Sequence, residues 1–157
     1  MEQEFLAIKK LLDGKKVNYK IFEHEPVYTS EDAARVRGEE LHTGVKALVF
    51  KTGDEFILAL VPGDKKVDFS KLRSATGTKN IRMATPEEVL KVCDCEIGSV
   101  HPFGNLMGSG IKTYMDRSIL NNDHVNFNVG LHTMTVRMSP QDLKEITQPQ
   151  LVDMAKD

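Results

Sequence analysis

The chain has 157 residues, 40% hydrophobic and 28% charged, with a net charge of −2. That suits one soluble domain, residues 1–157, with a real core. No run approaches the length of a membrane span, and no global field attracts nucleic acid, although local fields remain open.

The acidic start, Met1-Glu2-Gln3-Glu4, predicts neither a secretory signal nor a transit peptide. Phe5, Ile8, Leu11 and Leu12 have helical spacing over residues 2–12, with Gly14 as the expected stop. Residues 17–24 alternate as a strand, broken by Glu25-Pro26. Thr29 or Ser30 is expected to cap a helix over residues 31–37 that ends at Gly38. Residues 44–51 then read as a strand, and residues 55–61 as its antiparallel hairpin partner. Asp68 can cap a helix that Gly77 closes, and residues 80–84 make a short strand. Thr85-Pro86-Glu87-Glu88 has the form of a capping box with proline at the first position.

A glycine-rich loop over residues 95–110 follows. Residues 111–115 could form a strand and residues 116–120 a turn of helix. Residues 125–128 and 133–138 read as strands on either side of Gly130. Ser139-Pro140-Gln141-Asp142 starts a last helix, and the tail after Pro149 looks weakly specified. Interleaved helices and strands with a hairpin predict a mixed α/β sheet.

Alternation puts Val45, Ala47 and Val49 on one strand face and Lys46, Leu48 and Phe50 on the other. An ammonium on an apolar face needs a reason, since burying an unpaired charge is costly. Its stem can cover the sheet while its head reaches water, or the head can line a pocket for something anionic or carbonyl-like. The loop Gly98-Ser99-Val100-His101-Pro102-Phe103-Gly104 is either a surface turn or a backbone able to polarise a carbonyl oxygen. His101, among turn residues, reads as a solvated loop histidine. His132 reads as a hairpin histidine or as one that orients a substrate.

The five histidines lack metal-ligand spacing, and Cys93 and Cys95 are too close for an ordinary disulfide. No metal or other cofactor is expected, and the thiols should be reduced, as in a cytoplasm. The segment over residues 65–82 carries Lys65, Lys66, Lys71, Arg73, Lys79 and Arg82 against Asp68 alone. It is a solvated face or a surface for a phosphate backbone.

Taken in order, His24-Glu25-Pro26-Val27-Tyr28-Thr29-Ser30, Gly44-Val45-Lys46-Ala47-Leu48, the loop at residues 98–104 and Asn128-Val129-Gly130-Leu131-His132 resemble the YbaK family of aminoacyl-tRNA deacylases. These are single-domain relatives of the editing domain of bacterial prolyl-tRNA synthetases. The resemblance covers about residues 5–146. It implies a compact fold on a mixed, barrel-like sheet. It also implies hydrolysis of the ester joining a wrong amino acid to tRNA, with tRNA as a partner, a prolyl-tRNA synthetase as a candidate second one, and neither membrane nor DNA involved.

By that resemblance Lys46 is the signature active-site residue. The backbone of Gly98, Ser99, Val100 and His101 would hold the scissile carbonyl. Phe22, His24, Tyr28, Thr29, Pro102, Phe103, Gly104, Gly130 and His132 would bind substrate. Lys65, Lys66, Lys71 and Arg73 would meet the tRNA. Ala47, where relatives often have threonine, and Leu131-His132 leave the edited amino acid open. With no evident Ser-His-Asp set, the resemblance implies that a ribose hydroxyl of the substrate helps position or deprotonate the water. The alternative is a module that binds the aminoacyl end or a nucleotide without hydrolysis.

Overall fold

The computed structural model describes residues 2–108 and 110–156. Met1 of the acidic start, Ser109 of the glycine-rich loop and Asp157 at the end of the expected domain lie outside the described residues.

Helix α1 (Glu2–Lys15) buries Ile8 and Leu12, one turn apart, against the core. Gly14 does not stop it; the chain turns at Lys16, which takes the left-handed conformation at φ 57. Strand β1 (Tyr19–Glu23) leads to α2 (Ser30–Arg37). Thr29 caps α2 by accepting from the Asp32 N–H at 3.0 Å, and Gly38, at φ 66, ends it. A 3-10 turn at Leu41–Thr43 feeds β2 (Val45–Thr52), which pairs antiparallel with β3 (Glu55–Pro62) along its whole length.

Asp68 caps α3 (Phe69–Thr76) through the N–H groups of Ser70 and Lys71. Strand β4 (Ile81–Met83) pairs with β2, and the capping box of Thr85 and Glu88 opens α4 (Pro86–Cys93). After the loop come β5 (Lys112–Asp116), a 3-10 turn at Arg117–Asn121, β6 (Val125–Asn128), β7 (Met134–Met138), α5 (Pro140–Thr147) and β8 (Gln150–Val152).

The strands form two sheets, β4-β2-β3-β5-β8 and β1-β7-β6. The larger is mixed: β3 and β5 run parallel, joined by the crossover through α3 and α4 that a parallel pair requires. The sheets meet where Gly44 bridges Asn126 at the entry to β2, and they do not close into a barrel.

Alternation along β2 and β3 divides the apolar residues as expected. Val45, Val49, Leu58 and Leu60 join the main core with Phe103, Phe127 and Met115. Phe50, Ile57, Ala59 and Val61 pack on the opposite face with Leu72, Tyr114 and Met154. Each fully buried Leu or Phe contributes about 1.5–3 kcal/mol.

The tail is specified after all. Strand β8 extends the larger sheet, and Met154 is completely buried. Asp116 Oδ1 accepts the N–H groups of Met154 and Ala155 at 2.9 and 3.0 Å, which fixes the chain end in place. Among the described residues, no helix is long and apolar enough to cross a membrane.

Candidate functional site

A cavity of about 260 Å³ opens between α2, the start of β2 and the turn at residues 97–100. Ser30, Ala33, Ala34 and Arg37 line it from one face of α2, at the i, i+3, i+4, i+7 spacing of a helix stripe. Small residues there leave space, and Arg37 brings a charge to its inner end. Gly44, Lys46 and Leu48 line it from the β2 side, and Ile97, Gly98 and Val100 from the turn. Tyr28 stands at the lip, 62% exposed.

Lys46 is half-buried, and burial lowers its pKa. Glu31 and Asp64 oppose that shift and Lys66 adds to it. All three neighbours are exposed, so the ammonium sits at the outer rim. No carboxylate among the described residues lies within ion-pair distance of it.

Gly98 takes φ 91, and a Cβ there would lie 3.1 Å from the Tyr28 carbonyl oxygen. Its own carbonyl accepts from Asn128 Nδ2 at 2.6 Å. Ser99 spends both its N–H and its hydroxyl on the Glu96 carbonyl, and the His101 N–H is directed at the Cys95 sulfur. The N–H groups of Gly98 and Val100 have no hydrogen bond among the described residues, and both residues line the cavity.

Other expected site residues sit elsewhere. His101 is buried rather than solvated: Pro102 and Phe103 tuck inward with it, and its Nδ1 accepts the Phe103 N–H at 3.1 Å. Burial drives its pKa down to about 4, so the ring is neutral. Phe103 is a core side chain packed edge-on to Phe127, not a substrate surface. Gly104 packs against Ile111 and Thr113, where a Cβ would collide. Phe22 lies under the Arg137 guanidinium, 4.6 Å from it. Gly130, at φ 87, is buried behind the turn and donates to the Ser99 carbonyl. His132 backs the lip rather than lining the cavity; its ring lies against Tyr28.

His24 also stands behind the wall. Its Nδ1 donates to the Glu25 carbonyl, and its Nε2 lies 2.8 Å from Thr135 Oγ1. That hydroxyl in turn accepts from Arg37 Nε at 2.9 Å. Burial raises the thiols of Cys93 and Cys95 to about 12 and about 11, and neither cysteine is in a disulfide.

Sequence reasoning did not single out Arg37, Glu39 or Asn128, although all three line the cavity. Glu39 Oε1 takes bonds from His124, Asn126 and Arg137. Burial disfavours its charge, but the bonds from Asn126 and His124 outweigh that and hold its pKa low. The small-residue stripe of α2 ending in Arg37 was the readable signal.

The model of the aminoacyl-tRNA editing domain matches residues 24–146, which include every lining residue. The chain belongs to the aminoacyl-tRNA editing domain family. This editing domain is 29% identical to the multifunctional Ser/Thr-tRNA deacylase ProXp-y of Escherichia coli K12, over 93% of the chain and 89% of the relative. It is 27% identical to the prolyl-tRNA editing protein ProX of Acetoanaerobium sticklandii, over 90% and 89%. A crystal structure described as a candidate trans-editing enzyme for prolyl tRNA synthetase superposes with a TM-score of 0.87 at 28% identity, covering 98% of each chain.

Proposed function

We propose that this editing domain is a trans-acting aminoacyl-tRNA deacylase that hydrolyses the ester between a wrongly attached amino acid and the tRNA 3′ end. The observation that carries this reading is the pairing, in one cavity, of a rim ammonium with a glycine turn whose two lining N–H groups, like the ammonium, have no bonded partner among the described residues. The names of its relatives, a Ser/Thr-tRNA deacylase and a prolyl-tRNA editing protein, support the same reaction.

In this reaction a water oxygen attacks the acyl carbon, the bond to the ribose oxygen breaks, and that oxygen takes a proton. The N–H groups of Gly98 and Val100 would stabilise the oxyanion, a role in which one donor typically contributes a hundredfold or more in rate. Lys46 would hold the terminal nucleotide as a cation. A ribose hydroxyl of the substrate would position the water, since the histidines near the cavity are occupied by other partners. We place this work in the cytoplasm on tRNA of the prolyl type, with prolyl-tRNA synthetase as a partner in presenting it.

Lys65 and Lys66 extend the rim beyond Lys46, with Arg73 exposed on α3, and would meet the acceptor end. Lys71 is bonded to Asp153 and the Ala155 carbonyl, which suits it better to anchoring the tail.

The test is release of free amino acid from a panel of mischarged tRNAs, with binding measured against salt. Neutralising Lys65 and Lys66 should flatten the salt dependence by roughly one unit of slope per lost phosphate contact. Binding without release would make the chain a recognition module instead.

A further inference from the structure

Arg37 is the part of the cavity that ester hydrolysis does not use. Its Nε donates to Thr135 Oγ1 at 2.9 Å and its Nη2 to Asn128 Oδ1 at 3.4 Å, both neutral oxygens. Nη1 has no hydrogen-bond partner among the described residues and lies beside Gly44, where a Cβ would stand 3.4 Å away. No carboxylate among the described residues lies within ion-pair distance of the guanidinium. Burial lowers its pKa to about 10, with Glu39 opposing and Arg137 adding, so it is charged at neutral pH. The half-buried cation is held by neutral oxygens and has one arm open to water, which a ligand that fills the cavity must replace with an oxygen of its own.

The arrangement of charges says which part of the ligand arrives there. Lys46 and Lys66 mark the outer rim, where a phosphate and ribose would stay. The acyl group then points inward, into a cavity of about 260 Å³ that Arg37 helps to line. Resting on the deacylase reading, we propose that Arg37 is a specificity-determining residue: it selects acyl groups whose side chain carries a hydroxyl oxygen over apolar groups of the same size. The physical basis is asymmetric. A hydroxyl satisfies the free donor, whereas a methyl leaves it buried and unpaired. A site built to bond a substrate hydroxyl rejects the analogue that lacks it far better than an apolar pocket rejects an extra group.

The experiment compares single-turnover deacylation of one tRNA charged with serine or with alanine, by wild type, Arg37→Met and Gly44→Ala. Calorimetry of the hydrolysis-resistant amides 3′-seryl- and 3′-alanylamino-adenosine runs beside it. Wild type is expected to prefer the seryl ester by about tenfold or more. In Arg37→Met the seryl rate should fall further than the alanyl rate, taking the ratio towards one. An equal fall in both rates would reduce Arg37 to a clamp between α2 and the smaller sheet, and a wild-type ratio at or below one would also overturn the proposal.

If Arg37→Met fails to fold, Gly44→Ala decides. The backbone there, at φ −74, accepts a side chain, and the new methyl takes up the space beside Nη1 at contact distance, where a ligand oxygen or water would otherwise fit. A lowered seryl-to-alanyl ratio supports the assignment and an unchanged one refutes it. If wild type cleaves neither ester, the panel of mischarged tRNAs decides the deacylase reading and the amides decide specificity. Tighter seryl binding that Arg37→Met or Gly44→Ala abolishes supports the role; equal binding, or none, overturns it.

Discussion

The Tyr28 ring lies 4.5 Å from the His132 imidazole at a tilt of 37°, and an oxygen faces each nitrogen of that ring. Its Nδ1 lies 2.9 Å from the Val27 carbonyl and its Nε2 3.2 Å from Glu96 Oε2. Its Cε1 is 3.6 Å from where a Gly98 Cβ would be. His132 therefore ties the approach to α2, the glycine turn and the entry to β7 into one wall, with Tyr28 as its exposed outer surface. Removing it should loosen the lip before it touches the chemistry. His132→Ala is expected to raise KM for charged tRNA by more than it lowers kcat, and to cost about 1–2 kcal/mol in a urea titration. A loss confined to kcat would give His132 a chemical role instead.

Gly98 tests whether the turn acts through its backbone. At φ 91 a side chain is strained, and its Cβ would press on the Tyr28 carbonyl at 3.1 Å. Gly98→Ala should cost about 1–3 kcal/mol of stability. It should also lower kcat about a hundredfold, because the neighbouring N–H groups lose their aim. Asn128→Ala, which frees the Gly98 carbonyl without adding bulk, should lower kcat in the same direction by less. Wild-type kcat in a folded Gly98→Ala protein would remove the turn from the mechanism.

These features were unequally legible in the sequence. The caps at Thr29, Asp68 and Thr85 and the alternation that isolates Lys46 are local rules, and they hold. Where the deciding partner is distant, local reading fails. The tail looked unspecified because Asp116, which seats Met154, precedes it by 38 residues. His101 looked solvated because its neighbours are turn formers, yet Pro102 and Phe103 carry the ring inward. Arg37 ends a stripe of small residues that could be read on a helical wheel. Its bond to Thr135 crosses 98 positions, and without that contact it reads as one more surface charge.

Substituting Lys46 is expected to separate activity from stability. Burial disfavours its charged form, and the carboxylates of Glu31 and Asp64 oppose that in part. Lys46→Met keeps most of the stem's apolar contact and removes the charge. Deacylation should fall by at least a hundredfold while the denaturation midpoint holds or rises, the gain reaching about 1 kcal/mol. Single-turnover rates and urea curves on the same preparation check both. An active Lys46→Met would leave the lysine as mere cover for the sheet.

The acid limb of stability should trace to His101. Burial takes its pKa from the ordinary 6.5 to about 4 in the folded chain. Above 6.5 the ring is neutral whether the chain is folded or not, and it adds no pH dependence. Between 6.5 and about 4 the unfolded chain binds a proton that the folded chain refuses, so stability falls as pH drops. Below about 4 both forms are protonated and this loss levels off, at about 3 kcal/mol in all. Asp116, whose hydrogen bonds hold its pKa below the usual carboxylate value despite burial, loses its contribution only at lower pH. The two windows are therefore separable. His101→Asn keeps an acceptor for the Phe103 N–H and removes the titration. It should lower stability at pH 7 through lost packing, yet flatten the decline between pH 6.5 and 4.5. Urea midpoints for both proteins across that range measure the difference. Parallel curves would mean that the imidazole does not carry the acid sensitivity of this fold.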